Sequence, residues 1–544
     1  MWKRADERPD AVALVYVSDR TGDLRLSRSE ICQRTAECAA RLKAAGVRPG
    51  DVTLIAVDHG VRQIELFLGA LHAGATPCLF PALAPRLDPA GFADRLANAA
   101  ERLQPHVVVS DRAGFLEGRA GHSIDAASLF GGPAPDGSSA RNAGRSELAF
   151  VQLSSGSTGR QKVIPIAHGA VLALVTARNR AFQVTASDVV VNWVPLYHDL
   201  GLVGSVLAPL ISGLPSVLMS PVEWLARPAM QLQAVHRHGA TMCTMPNFAF
   251  GYCARRIRDE ELEGVRLDSW RLLVSGAEPV DQEAFEFFAR RFERYGFSRR
   301  ALATGYGLAE HTLTVTLSPL GTVPTTDHVN RRSLQFERRA VPERGEGATV
   351  IVSSGRCLDH VDLQIRSAEG HTLADRQVGE VFVRSPYVFG GYYNDPERTA
   401  EVLRDGWLAT GDLGYTVAGE LFICGRLKDL IIVAGMNLSA EDVELVASRA
   451  PGLKAGRVAA FGVPDSRTGS EMVVIVAERA AGTEPVDDDA ITTEVRRLVR
   501  RKLEVAVGSV DLVPANWIVK TTSGKNARWA TRERWLAERA AHQR

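Results

Sequence analysis

Between the apolar runs Ala149-Phe150-Val151 and Val163-Ile164-Pro165-Ile166 the chain packs Ser154, Ser155, Gly156, Ser157, Thr158 and Gly159, followed by Arg160 and Lys162. Glycine permits positive φ and close approach, so successive amide N–H groups can converge on one anion while hydroxyls and the basic pair add donors and charge. That chemistry is a phosphate grip. A bare Ser/Gly cluster is more often a polar hairpin turn; the basic residues and the companion motifs reverse those odds. The Walker pattern does not fit, because no Gly-Lys-Ser/Thr stands four residues after a first glycine.

The companions follow in order. Trp193-Val194-Pro195-Leu196-Tyr197-His198-Asp199-Leu200-Gly201-Leu202 holds a His-Asp step that reads as a catalytic dyad, a metal fragment or, taken alone, a packed turn. Ser275-Gly276-Ala277-Glu278-Pro279 is a strand end giving way to a turn. Gly305-Tyr306-Gly307-Leu308-Ala309-Glu310 couples an aromatic suited to base stacking with a carboxylate able to hold Mg²⁺. Next come Trp407-Leu408-Ala409-Thr410-Gly411-Asp412, whose aspartate can accept from both ribose hydroxyls, then Gly425-Arg426-Leu427-Lys428-Asp429, and last Lys520-Thr521-Thr522-Ser523-Gly524-Lys525. Only eight of the 64 basic residues are lysines, and four of those eight fall inside these motifs.

The elements that must position them alternate. Val12 to Val17 predicts a strand, and a helix opens at Ser27, whose partner Glu30 makes a capping box. Val52 to Val57 and His106 to Ser110 read as strands, with helices over Gln63 to His72 and Ala93 to Leu103. Such alternation argues an α/β fold with parallel-rich sheets covered by helices. Leu200 to Val222 is uncharged and long enough to span a bilayer, but Pro209, Gly213, Pro215 and Pro221 break it, so it reads as a buried helix followed by a strand. Thr316 to Gly355 is rich in Arg, Glu, Pro and Gly and predicts a long irregular segment. After Gly425, Asp429 to Val433, Ser439 to Arg449, Val458 to Gly462, Met472 to Ala477 and Ile491 to Leu503 predict a separate α+β unit.

At 544 residues at least two folding units are expected, and a net charge of +1 argues against nucleic acid or an anionic membrane as the main partner. The seven cysteines contain no Cys-x-x-Cys pair and read as reduced, mostly buried thiols of a cytoplasmic protein. The start, Met1-Trp2-Lys3-Arg4, lacks the apolar core of a secretory signal.

Taken together, these motifs make the chain resemble the adenylate-forming superfamily of acyl-CoA synthetases, peptide-synthetase adenylation domains and luciferases over essentially its whole length. Pro195 to Leu202, Pro246-Asn247-Phe248-Ala249-Phe250, Gly276 to Pro279 and Tyr306 to Leu313 make it most similar to the fatty acyl-AMP ligases. The resemblance implies a large N-terminal domain, residues 1–425, and a small mobile C-terminal domain, residues 426–544, with a ligase-type insertion at about 317–355. It implies ATP and Mg²⁺ as cofactors and two half-reactions, first to acyl-adenylate and pyrophosphate, then to a thioester. Ser154 to Gly159 and Lys162 would hold phosphates, Tyr306 would stack on adenine, and Ser275, Gly276, Ala277, Glu278 and Gly307 would line the nucleotide. Asp412 and Arg426 would bind ribose, Glu310 would coordinate the metal, and Lys525 would reach the carboxylate and bridging oxygen. His198 would sit between nucleotide and acyl pockets, the acyl side being Trp193, Asn247, Phe248, Phe250 and Leu313, with Lys428 as hinge.

The implied substrate is a hydrophobic carboxylic acid and the implied acceptor an acyl-carrier protein, in preference to CoA. A CoA ligase of the same fold, an amino-acid or aryl-acid adenylating enzyme, and a catalytically silent binding protein are the competing readings. Departures from the usual pattern fall at Gln161, Val163, Leu200 and Val519, and at Gly435 to Asp442, where the ligases usually show Arg-Asn-Tyr-Tyr-Pro.

Overall fold

In a computed structural model, the nine-stranded sheet that carries most of the candidate residues runs in the order Arg356–Cys357, Thr314–Leu317, Leu302–Gly307, Leu272–Gly276, Met242–Pro246, Val190–Asn192, Ser216–Met219, Val12–Val17, Leu24–Ser27. The structure describes all residues except 1, 82–88, 112–121, 133–143, 145, 146, 155–161, 346, 434, 435, 466–469, 481–487, 522, 523, 543 and 544. The six strands from Leu302–Gly307 to Val12–Val17 are mutually parallel, and the edge pairings are antiparallel. Their sequences explain this: Leu272–Gly276 and Ser216–Met219 are buried at every position, as strands covered on both faces must be.

A six-stranded sheet follows the order His122–Asp125, Val107–Ser110, Val52–Ala56, Thr76–Leu79, Leu148–Ser154, Lys162–Ala167, and only its last pair is antiparallel. The helix Arg28–Ala44 packs beside Val61–Ala73, and its start is fixed by the reciprocal Ser27–Glu30 capping box. A third, antiparallel sheet joins Asp362–Arg366, Gly379–Arg384, Trp407–Val417, Leu403–Arg404 and Glu420–Arg426. The uncharged stretch forms a continuous helical run from Asp199 to Ser212 with a π-helical middle, then the strand Ser216–Met219. Among the described residues no helix is long and apolar enough to cross a membrane.

The segment from Thr316 to Gly355 departs from the irregular expectation. Thr326–Asn330 pairs antiparallel with Ala348–Val352, and the helix Arg331–Phe336 lies between them. Its Val329 and Ala340 are fully buried against Val378, Leu413, Tyr415 and Phe422, so a core supplied mainly from later in the chain orders it.

From Ile431 on, the chain builds cores of its own. Leu438, Val443, Val458, Val473 and Val495 form one, and Phe461, Val474, Trp517 and Trp535 form another on the opposite side of the sheet Leu453–Asp465, Ser470–Arg479, Val507–Val513. The chain closes on the helix Arg528–His542, which Trp535 anchors, with Nε1 donating to Asp511 at 2.6 Å. All seven cysteines are free thiols, five of them buried, Cys424 half-buried and Cys357 exposed.

Candidate active site

Adjacent parallel strands end at the site. Val190–Asn192 leads into Trp193 to His198, Met242–Pro246 into Asn247 and Phe248, Leu272–Gly276 into Ala277 and Glu278, and Leu302–Gly307 into Glu310. Ligands of open α/β sheets sit beyond the carboxyl ends of such strands, where loops converge without blocking one another. Two backbone features fix the turns. A Cβ on Gly307 would lie 1.8 Å from the Leu313 carbonyl oxygen, so only glycine fits that close approach. Ala277 and Thr312 have φ of 69° and 66°, a conformation that costs a side-chain-bearing residue about 1–3 kcal/mol and concentrates at functional turns.

Glu310 is buried, and one of its oxygens, Oε1, accepts from Lys162 Nζ at 2.7 Å and from the Tyr392 hydroxyl at 2.8 Å. Lys162 also stands 5.0 Å from the Tyr392 ring centroid. Burial works against the charged Glu310 carboxyl, but Lys162 and Tyr392 outweigh it and hold it below the ordinary range. Behind it His311 is fully buried, bonded through Nε2 to Ser385 at 2.8 Å, and burial pushes its pKa down to about 3.

A second cluster lies on the strands Leu302–Gly307, Trp407–Val417 and Glu420–Arg426. The Tyr306 hydroxyl donates to Asp412 Oδ2 at 2.7 Å, and Arg426 grips the same buried carboxylate through Nε. Asp412 raises the Arg426 pKa, while burial and then Asp412 push the Tyr306 phenol well above its usual value. Asp412 and Arg426 are also register partners, which explains why two motifs fourteen residues apart meet.

In the third cluster His198 Nδ1 lies 2.6 Å from Asp199 Oδ1, and the Leu200 amide donates to that oxygen at 2.7 Å. Burial opposes ionisation of Asp199, yet His198, the Leu200 amide and Lys525 together hold it below the ordinary carboxylate range. Lys525 therefore brings its charge to bear on the strand-end site from the C-terminal part of the chain. Lys520 is likewise felt by Glu278; burial, then Arg457, lowers its pKa to about 8.

Aromatic rings gather where the acyl side is expected. Trp193 stacks on Trp224 at 3.6 Å with planes 6° apart, and half-exposed Phe248 meets both edge-on at 6.1 and 6.2 Å. Leu313 is buried 3.6 Å from where a Cβ on Gly204 would stand, on the helical run Asp199 to Ser212. Asn247 accepts from the Asp281 amide at 3.2 Å, and Glu278 from the Phe248 amide at 3.1 Å. Phe250 is the correction: it is fully buried, 4.5 Å from Phe285 and 5.3 Å from Phe288, facing the helix Gln282–Phe292 with no surface left for a ligand. Ser275 Oγ and Trp193 Nε1 are buried without a hydrogen-bond partner among the described residues.

Ser155, Gly156, Ser157, Thr158 and Gly159 lie outside the described residues; the strands Leu148–Ser154 and Lys162–Ala167 that flank them pair Ser154 with Lys162. Lys428 is exposed in the single turn Leu427–Asp429, and burial, then Lys162 and Arg398, lowers its pKa. Tyr392 carries no sequence signal of its own: nothing in the spacing of Gly390-Gly391-Tyr392-Tyr393-Asn394 points to Glu310.

The profile of AMP-binding enzymes matches residues 1–393. A Caulobacter vibrioides protein that carries the name of an acyl-CoA synthetase is 32% identical over 92% of this chain and 88% of its own. A long-chain-fatty-acid–AMP ligase of Mycobacterium marinum is 32% identical over 98% of this chain and 96% of its own. A medium-chain-fatty-acid–[acyl-carrier-protein] ligase of Moorena producens is 35% identical over 72% and 68% respectively. Among solved structures, one from work on the fatty acyl-adenylate ligases of E. coli and L. pneumophila superposes with a TM-score of 0.90 at 25% identity, covering 99% of this chain and 98% of that one.

Proposed function

The chain belongs to the family of AMP-binding enzymes, and from that premise we propose that it activates a fatty carboxylic acid with ATP and passes the acyl group to the phosphopantetheine thiol of a carrier protein. The observation that carries this reading is the placement of three charge pairs at the ends of the parallel strands: His198–Asp199 after Val190–Asn192, Lys162–Glu310 after Leu302–Gly307, and Arg426–Asp412 joined to the same strand through Tyr306.

The acid's carboxylate attacks the α-phosphorus of ATP, the bond to the β-phosphate oxygen breaks, and pyrophosphate leaves. Two anions must meet, so the site has to supply cations and exclude water. Lys162 and the loop 154–159 hold the phosphates. Tyr306 stacks on adenine beside Ser275, Gly276, Ala277, Glu278 and Gly307, and Asp412 with Arg426 takes the ribose. Mg²⁺ is commonly held by one or two carboxylates plus the substrate's phosphates, and Glu310, a buried carboxylate just past the strand Leu302–Gly307, fits that role. When bound, the metal neutralises phosphate charge. Lys525, exposed on a loop, follows the charge as it moves to the bridging oxygen. His198 and half-exposed Phe248, with Trp193, Asn247 and Leu313, form the acyl side; fully buried Trp224 backs Trp193, and Phe250 belongs to the core.

The reading divides the chain into 1–425 and 426–544 and makes Lys428 the hinge by which Lys525 withdraws before the thiol attacks the acyl carbon and AMP leaves. Acceptance by a carrier protein rather than CoA is supported by the helix Arg331–Phe336 of the 317–355 segment. Asn437 of the C-terminal part donates to its Gln335 carbonyl at 3.2 Å, so the segment contacts the part that must rotate. The Moorena producens relative favours the same acceptor by name, and the Caulobacter vibrioides relative favours CoA.

The test is mass spectrometry of adenylates formed from a panel of acids, chased with CoA or with phosphopantetheinylated carrier protein. A fatty acyl-adenylate discharged only by the carrier protein is expected; absence of any adenylate refutes the reading. Lys525→Ala should lower pyrophosphate exchange by about 10²- to 10³-fold, to a small residual rate, while leaving the unfolding midpoint unchanged, because an exposed loop lysine contributes little stability.

A further inference from the structure

Lys525 sits on a short hairpin. Lys520 bridges Asn526, the Thr521 amide donates to the Lys525 carbonyl at 2.8 Å, and the Gly524 amide donates to the Thr521 carbonyl at 2.9 Å. An exposed lysine there has several rotatable bonds and few neighbours, so its placement depends on what holds the hairpin. One brace is Asn526, whose Nδ2 donates to the Val458 carbonyl at 2.6 Å.

The other brace is Arg528, three residues past Lys525 at the start of the helix Arg528–His542. Its guanidinium meets three carboxylates. Nε and Nη2 take Glu444 in a two-point fork at 2.8 and 2.9 Å, and Nη1 reaches Asp429 at 2.6 Å and Glu441 at 3.4 Å. Only 16% of the arginine side chain is exposed. Glu441 and Glu444 belong to the helix Ala440–Ala447, whereas Asp429 is the residue directly after Lys428. One side chain thus joins the downstream edge of the proposed hinge to the root of the Lys525 hairpin, across 99 residues of sequence.

We infer that Arg528 is a positioning residue that makes the hinge turn, the helix Ala440–Ala447 and the Lys525 hairpin move as one rigid piece. Without it, the Lys525 hairpin would be tied to the rest of its unit by Asn526 and by the core around Trp517 and Trp535, with no side chain linking it directly to the hinge turn. The inference rests on the roles proposed above for Lys428 and Lys525. Arginine suits the task and lysine does not, because the planar fork satisfies a carboxylate at two points and still reaches a second and a third. Charge balance adds to the hold: three carboxylates share one cation. Burial lifts Glu441 above its ordinary pKa, Arg528 opposes that rise, and Glu444 and Asp429 add to it.

The experiment is a double-mutant cycle on the full chain, read by pyrophosphate exchange with a responsive acid. Arg528→Lys keeps the charge and removes the fork, and should lower kcat by about 10- to 100-fold, the scale expected when a catalytic group is displaced by about 1 Å, with KM for ATP within about twofold. In a Lys525→Ala background the same change should alter the residual rate by less than about twofold, because residues that act as a unit are not additive. Equal losses in both backgrounds would reduce Arg528 to a merely structural role and overturn the inference, as would undiminished exchange in Arg528→Lys. Wild-type exchange in Lys525→Ala alone would instead overturn the premise. Asp429→Asn leaves the Glu444 fork intact; it should give a smaller loss with the same dependence on Lys525, and equal losses in the two backgrounds refute the inference by a second route.

Discussion

Replacing Lys162 by methionine keeps the stem and deletes the ammonium that Glu310 depends on. In the wild type the Glu310 carboxyl sits below its ordinary pKa, so its contribution to stability is present above that value and fades as pH falls through the folded value. In Lys162→Met the Tyr392 hydroxyl is the side-chain donor left to that carboxylate among the described residues, burial dominates, and the sign reverses: the folded pKa rises above the ordinary value. The variant then carries a penalty at neutral pH that fades as the solution is acidified and Glu310 takes up a proton. Removing one partner of a buried pair costs about 3–5 kcal/mol; with Lys162 24% exposed and Tyr392 retained, about 2–3 kcal/mol is expected at pH 7.5.

Urea unfolding at pH 5 and pH 7.5 of wild type, Lys162→Met and Lys162→Met/Glu310→Gln measures this. The single variant should lose less at pH 5 than at pH 7.5, and the added Glu310→Gln should recover most of the loss at the higher pH, since an amide needs no counter-charge and still accepts from Tyr392. A loss independent of pH, or a double variant no more stable than the single one, would refute the claim that Lys162 is the counter-ion that makes the buried carboxylate tolerable.

Asp412→Asn weakens the acceptor shared by Tyr306 and Arg426 and should lower AMP affinity about 10- to 100-fold by calorimetry, the worth of one or two charge-assisted hydrogen bonds; unchanged affinity would remove ribose from this cluster. Asp188 is buried, which opposes its ionisation, yet Arg271, the Thr185 amide and Thr241 bring its pKa down from 3.8 to about 2. Arg271→Gln should therefore destabilise the chain by about 2–4 kcal/mol at pH 7. Because the stability Asp188 supplies is lost as pH falls through its folded value, the gap to wild type should close as pH drops from 3.8 toward about 2, and a gap constant with pH would show that Asp188 is not the partner that matters.

The alternation of strand and helix was legible because parallel strands buried on both faces leave continuous apolar runs, and the Ser27–Glu30 box marked a helix start to the residue. The 317–355 segment was not, because its order comes from Leu413, Tyr415 and Phe422, which lie far along the chain. Motifs that combine glycine with charge pointed to Lys162, Glu310, Asp412 and Lys525, and the fold pairs Lys162 with Glu310 and Asp412 with Arg426. Phe250 was misassigned for a geometric reason. Two positions apart on the helix Phe248–Arg256, Phe248 and Phe250 point to nearly opposite sides, so one faces Trp193 and the other the core. Tyr392 and Arg528 were invisible because their partners lie 82 to 99 residues away and neither residue is unusual for its own element.

The resident pairings also explain why the proposed catalytic cation belongs on a separate part of the chain. Glu310, Asp412 and Asp199 are each matched to a side chain on the large part or at its edge, namely Lys162, Arg426 and His198. Those cations are engaged in making buried carboxylates tolerable, and a group bound that way cannot follow a charge that migrates during reaction without unbalancing its partner. Were Glu310 to hold a metal when the nucleotide is bound, Lys162 would be released from it and could turn to phosphate. The charge that develops on the bridging oxygen needs one more cation, present in the first half-reaction and absent in the second. An exposed loop lysine, braced by Arg528 and swung by a single turn at Lys428, meets both conditions, whereas a lysine fixed on the sheet would meet only the first.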